Sequence, residues 1–116
     1  MKNEELQHWL EHTEQLIQEL LEDGTNDEVY HTIEHHFASS NFDTLEKAAI
    51  AAFKLGLDVE EPEEAELENG AKIFAFDIVT EQMLDVKILK QETEKMYELA
   101  QQCQVDYDGW GTYFEE

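Results

Sequence analysis

Basic residues are scarce in this chain: 7 stand against 29 acidic ones, a formal net charge of −22 over 116 residues. Such a charge repels a phosphate backbone at any distance that salt leaves unscreened, which argues against direct binding to RNA or DNA. Cysteine is nearly missing as well. The lone Cys103 excludes an intrachain disulfide and leaves too few thiols for a cysteine-based zinc ribbon, a usage that suits the cytosol. No apolar run approaches the length needed to cross a bilayer, and Met1-Lys2-Asn3-Glu4-Glu5 lacks the apolar segment of a signal peptide. The expectation is a cytoplasmic protein that neither spans nor binds a membrane. There is no nucleophile motif and no glycine-rich phosphate loop, and the acids are too numerous for two to stand out as a catalytic pair. The chain therefore reads as a non-enzyme without a cofactor. It has no linker or low-complexity stretch, and its length suits one domain over residues 1–116.

What is present is organised around Lys72-Ile73-Phe74-Ala75-Phe76-Asp77-Ile78-Val79, apolar in both alternating registers and hence a central strand, with Asp77 as its lone carboxylate. Upstream, Leu6, Leu10, Ile17, Leu20 and Leu21 recur at helical spacing from about Glu4 to Asp23. They predict an amphipathic helix within residues 1–24, ended by Gly24 and widened by Trp9 and Leu16. Docking of those two side chains on a partner is weighed against ordinary packing within the chain, which is favoured. Val29 to Phe37 predicts a strand with Val29, Ile33 and Phe37 on one side and Tyr30, Thr32, Glu34 and His36 on the other.

Ser40 and Asp43 have capping-box spacing ahead of a helix stripe of Leu45, Ala48, Ala49, Ala52 and Phe53 that stops at Gly56. Leu57 to Leu67 follows as a second strand. Its Pro62 and its many carboxylates place it on a sheet edge, where like charges discourage pairing with another chain. Asn69-Gly70 marks a hairpin into the central strand. Asp85 can cap a helix from about Val86 to Gln102 with Leu89, Met96, Ala100 and Cys103 inward, and Val105 to Gly111 forms the last strand.

The order is α-βαββαβ: an extra N-terminal helix and then, over residues 28–114, a ferredoxin-like α+β sandwich with a four-stranded antiparallel sheet. If Val29, Ile33, Phe37, Phe74, Phe76, Ile78, Val105 and Tyr107 face the helices, the open sheet face carries Thr32, Glu34, His36, Asp77, Asp106, Asp108 and Trp110. An RNA-binding sheet would offer stacking aromatics beside Lys and Arg; this face is acidic and suits cationic side chains. Glu34, His36, Asp77, Asp106, Asp108 and Trp110 are thus the candidate partner-binding residues. The histidines are weaker candidates as metal ligands. His35 and His36 point to opposite faces, and His31 lies about 13 Å from His35 along a strand. His8 and His12, one helical turn apart, lack a third ligand. Asp108-Gly109-Trp110-Gly111 reads as a strand kink or bulge around the indole.

Several stretches also form a recognisable set: Glu22-Asp23-Gly24, Tyr30 with Thr32-Ile33-Glu34-His35-His36, Leu45-Glu46-Lys47-Ala48-Ala49, Ala52-Phe53-Lys54-Leu55-Gly56, Asp77-Ile78, and Asp106-Tyr107-Asp108-Gly109-Trp110-Gly111-Thr112-Tyr113-Phe114. Together they resemble the bacterial family called regulator of RNase E activity B, over nearly all of the chain after Leu20. The resemblance implies a cytoplasmic protein inhibitor that binds the endoribonuclease RNase E, alters the RNA degradosome and slows mRNA decay, with no catalytic residues of its own. Its leading form here is an acidic module docked on a basic segment of RNase E. The alternative is an acidic protein that imitates nucleic acid and blocks a different basic nucleic-acid-binding protein.

Overall fold

The computed structural model describes residues 4–112. The last two positions of the expected 28–114 unit, Tyr113 and Phe114, lie outside that range, as does the start of the Met1–Glu5 stretch. Along the chain run α1 (Glu4–Glu22), β1 (His31–Ser39), α2 (Phe42–Lys54), β2 (Asp58–Val59), β3 (Glu63–Glu66), β4 (Lys72–Gln82), α3 (Val86–Cys103) and β5 (Asp106–Thr112). The sheet is antiparallel throughout, in the order β2-β4-β1-β5, with β3 also paired to β4. The helices lie on one face, with α3 packed against both α1 and α2. This is the expected α+β sandwich.

It has five strands instead of four because the expected Leu57–Leu67 strand is broken in the middle. Asp58 and Val59 pair with Val79 and Ile78, but Glu63 pairs with Ala75, so one extra residue is accommodated between the two segments. Pro62, which has no N–H to give, lies in that bulge. The pairing does not lapse entirely, for the Glu60 amide still donates to the Asp77 carbonyl at 2.9 Å.

Other departures are local. Val29 is exposed, because the chain is still turning there and β1 begins only at His31. Asn41, not Ser40, caps α2: its Oδ1 accepts from the Thr44 amide at 3.0 Å, a more direct partner for an orphan N–H than the expected box. Phe53 is 72% exposed, since Leu45, Ala48, Ala49 and Ala52 already fill the side of α2 that meets the sheet. Leu21 is partly exposed for a similar reason, with Ile17 and Leu20 turned inward. Asp85 does cap α3, accepting from the Ile88 amide at 3.1 Å.

The largest departure is Trp110, which is buried among the helices and not on the open face. The β1–β5 register explains it. His35 pairs with Trp110 and Phe37 with Tyr107, so His36 alone faces two residues of β5, Asp108 and Gly109. Gly109 has φ +87°, the left-handed conformation of a glycine bulge. One extra residue reverses the alternation, and Trp110 joins Tyr107 on the helix side.

Trp110 there helps seat α1. Its indole Nε1 donates to Thr13 Oγ1 at 2.9 Å. Thr13 and Thr93 hydroxyls lie 2.8 Å apart, and Thr93 gives its proton to the Leu89 carbonyl at 2.7 Å, so Thr13 is the donor of that pair. Ile17, Leu20, Leu84, Leu89 and Ile33 close around this chain. Trp9 covers Gly109 and meets the Tyr107 ring edge-on at 5.4 Å, so its stripe packs within the molecule as favoured.

His35 is fully buried, because it shares the inward side of β1 with Ile33 and Phe37. Nε2 donates to Glu92 Oε2 at 2.8 Å, and the Tyr107 hydroxyl lies 2.9 Å from Nδ1. With both ring nitrogens engaged, His35 has none left for a metal. Thr80 and Gln82 also donate to Glu92, each at 2.9 Å. Burial alone pushes the Glu92 carboxyl up, but hydrogen bonds from His35, Gln82 and Thr80 and the His35 charge bring it below its ordinary value.

Two expectations follow. Gly109→Ala combines a left-handed backbone with a Cβ that would lie 2.9 Å from Trp9 Cζ3, and should cost roughly 1–3 kcal/mol, read as a lower urea midpoint. A midpoint equal to wild type would show that the bulge relaxes freely. The second concerns acid. Glu92 binds its proton more weakly folded than unfolded, so its contribution is full above the ordinary value of 4.5 and is lost as pH falls through the folded value. Glu92→Gln should therefore be less stable at neutral pH and lose less on acidification below about 4.5; parallel stability–pH curves for the two proteins would argue against this.

Candidate functional site

The open face is built on β1 and β4. Their register sets His36 directly opposite Asp77 and Glu34 opposite Val79, so alternation brings Glu34, His36 and Asp77 to the same side. His36 Nδ1 donates to Asp77 Oδ1 at 2.8 Å, and both side chains keep contact with water. On β5, Gly111 lies opposite Glu34, with no side chain to cover the His36 ring.

The edge strand adds a third acid, because the register of Asp58 with Val79 and Val59 with Ile78 continues to Glu60 opposite Asp77 before the bulge begins. Its backbone tie to Asp77 holds Glu60 at the rim, and carboxylate oxygens of Glu34, Glu60 and Asp77 all lie within 4.8 Å of one another. Local desolvation, then the charges of Asp77 and Glu34, a hydrogen bond with Glu34 and the charge of Asp58 hold the Glu60 carboxyl above its ordinary range. Beside it a cleft of about 510 Å³ opens where the edge leaves β4, between Val59, Glu60, Glu61 and Glu63 on one side and Ala75 and Asp77 on the other.

Glu34, His36 and Asp77 are thus brought together as the alternation implied. Asp106 and Asp108 are exposed on β5, but two strands from Asp77, about 10 Å by the usual strand spacing. Trp110 is not part of this face. Glu60 was not among the candidate residues; its signal was its parity with Asp58 on the acidic edge strand.

Crowded carboxylates favour whatever reduces their repulsion: a proton, a hard cation or an alkylammonium or guanidinium group. As a metal centre the trio is thin, since three side chains fall short of the six to eight oxygens of a calcium site. Among the described residues it is the only cluster of three or more such groups close enough to share an ion. His8 meets Trp9 edge-on and His12 lies tilted to it, with ring centroids 4.8 and 5.4 Å from the indole, and neither is in that cluster.

Comparison with known proteins gives this geometry its context. The family model described as Regulator of ribonuclease activity B matches residues 10–112. A protein of that name from Colwellia psychrerythraea is 80% identical over 116 residues, covering 100% of both chains. One from Pseudoalteromonas translucida is 53% identical over 111 residues, 96% of this chain and all of the relative. One from Aeromonas hydrophila is 48% identical over 112 residues, 97% of each. The family match takes in α1 from Leu10 onward and every strand, so Thr13, the Gly109 bulge and the acidic face lie within it, and the chain belongs to the Regulator of ribonuclease activity B family.

Proposed function

We propose that this protein binds the endoribonuclease RNase E and lowers its activity, a cytoplasmic, non-catalytic regulator that alters the RNA degradosome and slows mRNA decay. Membership in a family of regulators of ribonuclease activity carries the reading. The enzyme's identity comes from the motif resemblance, above all Asp106 to Thr112 and Thr32 to His36.

The acidic face supports a mode of contact. Glu34, Asp77 and Glu60 would receive a basic segment of the ribonuclease, with His36 giving up its bond to Asp77 as an incoming ammonium or guanidinium replaces it. Asp106 and Asp108 would lie at the periphery and guide approach. A ribonuclease must attract RNA, so basic surface on the enzyme is a reasonable target, and a net charge of −22 speeds encounter with it.

Added to RNase E, the protein should reduce cleavage of a model RNA in proportion to its occupancy, while retaining no labelled RNA itself in a gel shift. Inhibition should weaken from low to physiological salt, where the screening length falls to about 8 Å. An unchanged cleavage rate at saturating protein would remove the function. Preferential binding to other basic nucleic-acid proteins in a lysate pull-down would favour the nucleic-acid mimic instead.

Glu34→Lys with Asp77→Lys should reduce RNase E affinity several-fold or more, at about 1–2 kcal/mol per lost close pair by the lower measured couplings. Asp106→Lys with Asp108→Lys should have a smaller effect, since about 10 Å is one screening length at 0.1 M salt. Asp106 and Asp108 are exposed and Glu34 and Asp77 half-buried at the solvent-facing side of the sheet, so both variants are expected to fold, which circular dichroism would check. Equal losses would extend the site to β5; no loss from the first pair would move it off this face.

A further inference from the structure

On the opposite side of the molecule, α2 presents a surface of different character. Ile50 is 48% exposed, Phe53 72% and Leu55, at its C-cap, 68%. At the start of the helix Phe42 meets Phe74 edge-on with ring centroids at 5.3 Å. Charge is balanced here in a protein that is otherwise strongly acidic: Asp43 and Glu46 on α2 are matched by Lys47, next to Glu46, and by Lys54 in the last turn.

The order of those charges suggests an occupant. In an antiparallel pair of α2 helices with Ile50 against Ile50, Glu46, four residues before the centre, stands opposite Lys54 of the second copy, four residues after it. The symmetry repeats the pair. Lys47 and Phe53, three residues to either side, are matched in the same way, placing an ammonium near an aromatic face. Antiparallel helices also set each positive N-terminus beside a negative C-terminus.

We propose that α2 is a homodimer interface, formed by two copies of this chain about a twofold axis near Ile50. A helix of 13 residues is about 20 Å long and offers less than the roughly 1,200 Å² of a standard interface. The dimer is therefore weak, with a Kd between about 10 μM and about 1 mM. Salt has the opposite effect here to its effect on ribonuclease binding. Two chains of charge −22 repel, so screening tightens the dimer even though it weakens the Glu46–Lys54 pairs.

Sedimentation equilibrium on the full chain, up to about 1 mM protein, tests this independently of any ribonuclease. The expected result is a monomer–dimer equilibrium whose Kd falls several-fold from low to high salt. Ile50→Glu should abolish it, and Phe53→Lys should weaken it at least several-fold. Glu46→Lys should weaken it, and adding Lys54→Glu to that variant should restore it, a rescue that loss of fold cannot imitate. A monomer at every concentration, or a dimer indifferent to Ile50→Glu, would overturn the proposal. So would a monomer whose ribonuclease inhibition is lost on Ile50→Glu, which would give this surface to the enzyme.

Discussion

The structure depends on one backbone constraint, the left-handed turn of β5 at Gly109. Without it Trp110 would stay on the open side, as simple alternation demands, and the Thr13–Thr93–Leu89 chain would lose its indole donor. The same residue leaves room for Trp9 to lie on the strand. A single glycine thus serves two adjacent turns of α1: it aims the Trp110 indole at Thr13 and makes space for that of Trp9, one turn earlier. The extra helix is consequently an integrated part of the sandwich.

The inward side of the sheet is held by apolar packing and by polar groups that satisfy one another. Phe37 and Phe76 stack at 5.1 Å beneath the alanine stripe of α2, where small side chains let the helix approach large rings. Near α3, Glu92 accepts from a strand histidine, a threonine and a glutamine. Such a network is stable only when complete, because a carboxylate removed from water without its donors costs several kcal/mol. Sealing that side leaves the outer face free to carry charges that a core would not tolerate.

The parts legible in the sequence were those set by local rules. Asp85 followed by an apolar stripe specified α3, and the order of elements specified the sandwich. Alternation on β1 and β4 brought Glu34, His36 and Asp77 to one face. The same alternation put His35 with Ile33 and Phe37 inside, but its partner Glu92 is 57 positions away and no local pattern joins them. Thr13 sits between Leu10 and Ile17 where the helical stripe wants an apolar residue, a signal that a hydroxyl was needed inside. Trp110 was placed on the wrong face although a kink or bulge was expected at Asp108–Gly111, because a one-residue bulge resets every parity beyond it; Glu60 keeps the parity of Asp58, but which strand that edge pairs with, and in what register, is not written locally. Membership in a family of ribonuclease regulators was legible through resemblance, since charge alone supports several kinds of acidic binder.

His35 and His36 show why the docking site proposed above falls on the outer face and not on the polar seam. They are neighbours on one strand, each bonded to a carboxylate at 2.8 Å. His35 is shut off from water, and removing one partner of a buried pair typically costs about 3–5 kcal/mol. His36 and Asp77 are both in contact with solvent, where a pair contributes about 0–1 kcal/mol. In the proposed mode of contact a cationic side chain arriving at Asp77 would have only that small interaction to displace, and it would meet Glu34 and Glu60 already held close together by the sheet. The weaker pair is the exchangeable one, so the rigid seam fixes the strand while its outward neighbour remains free to change partners.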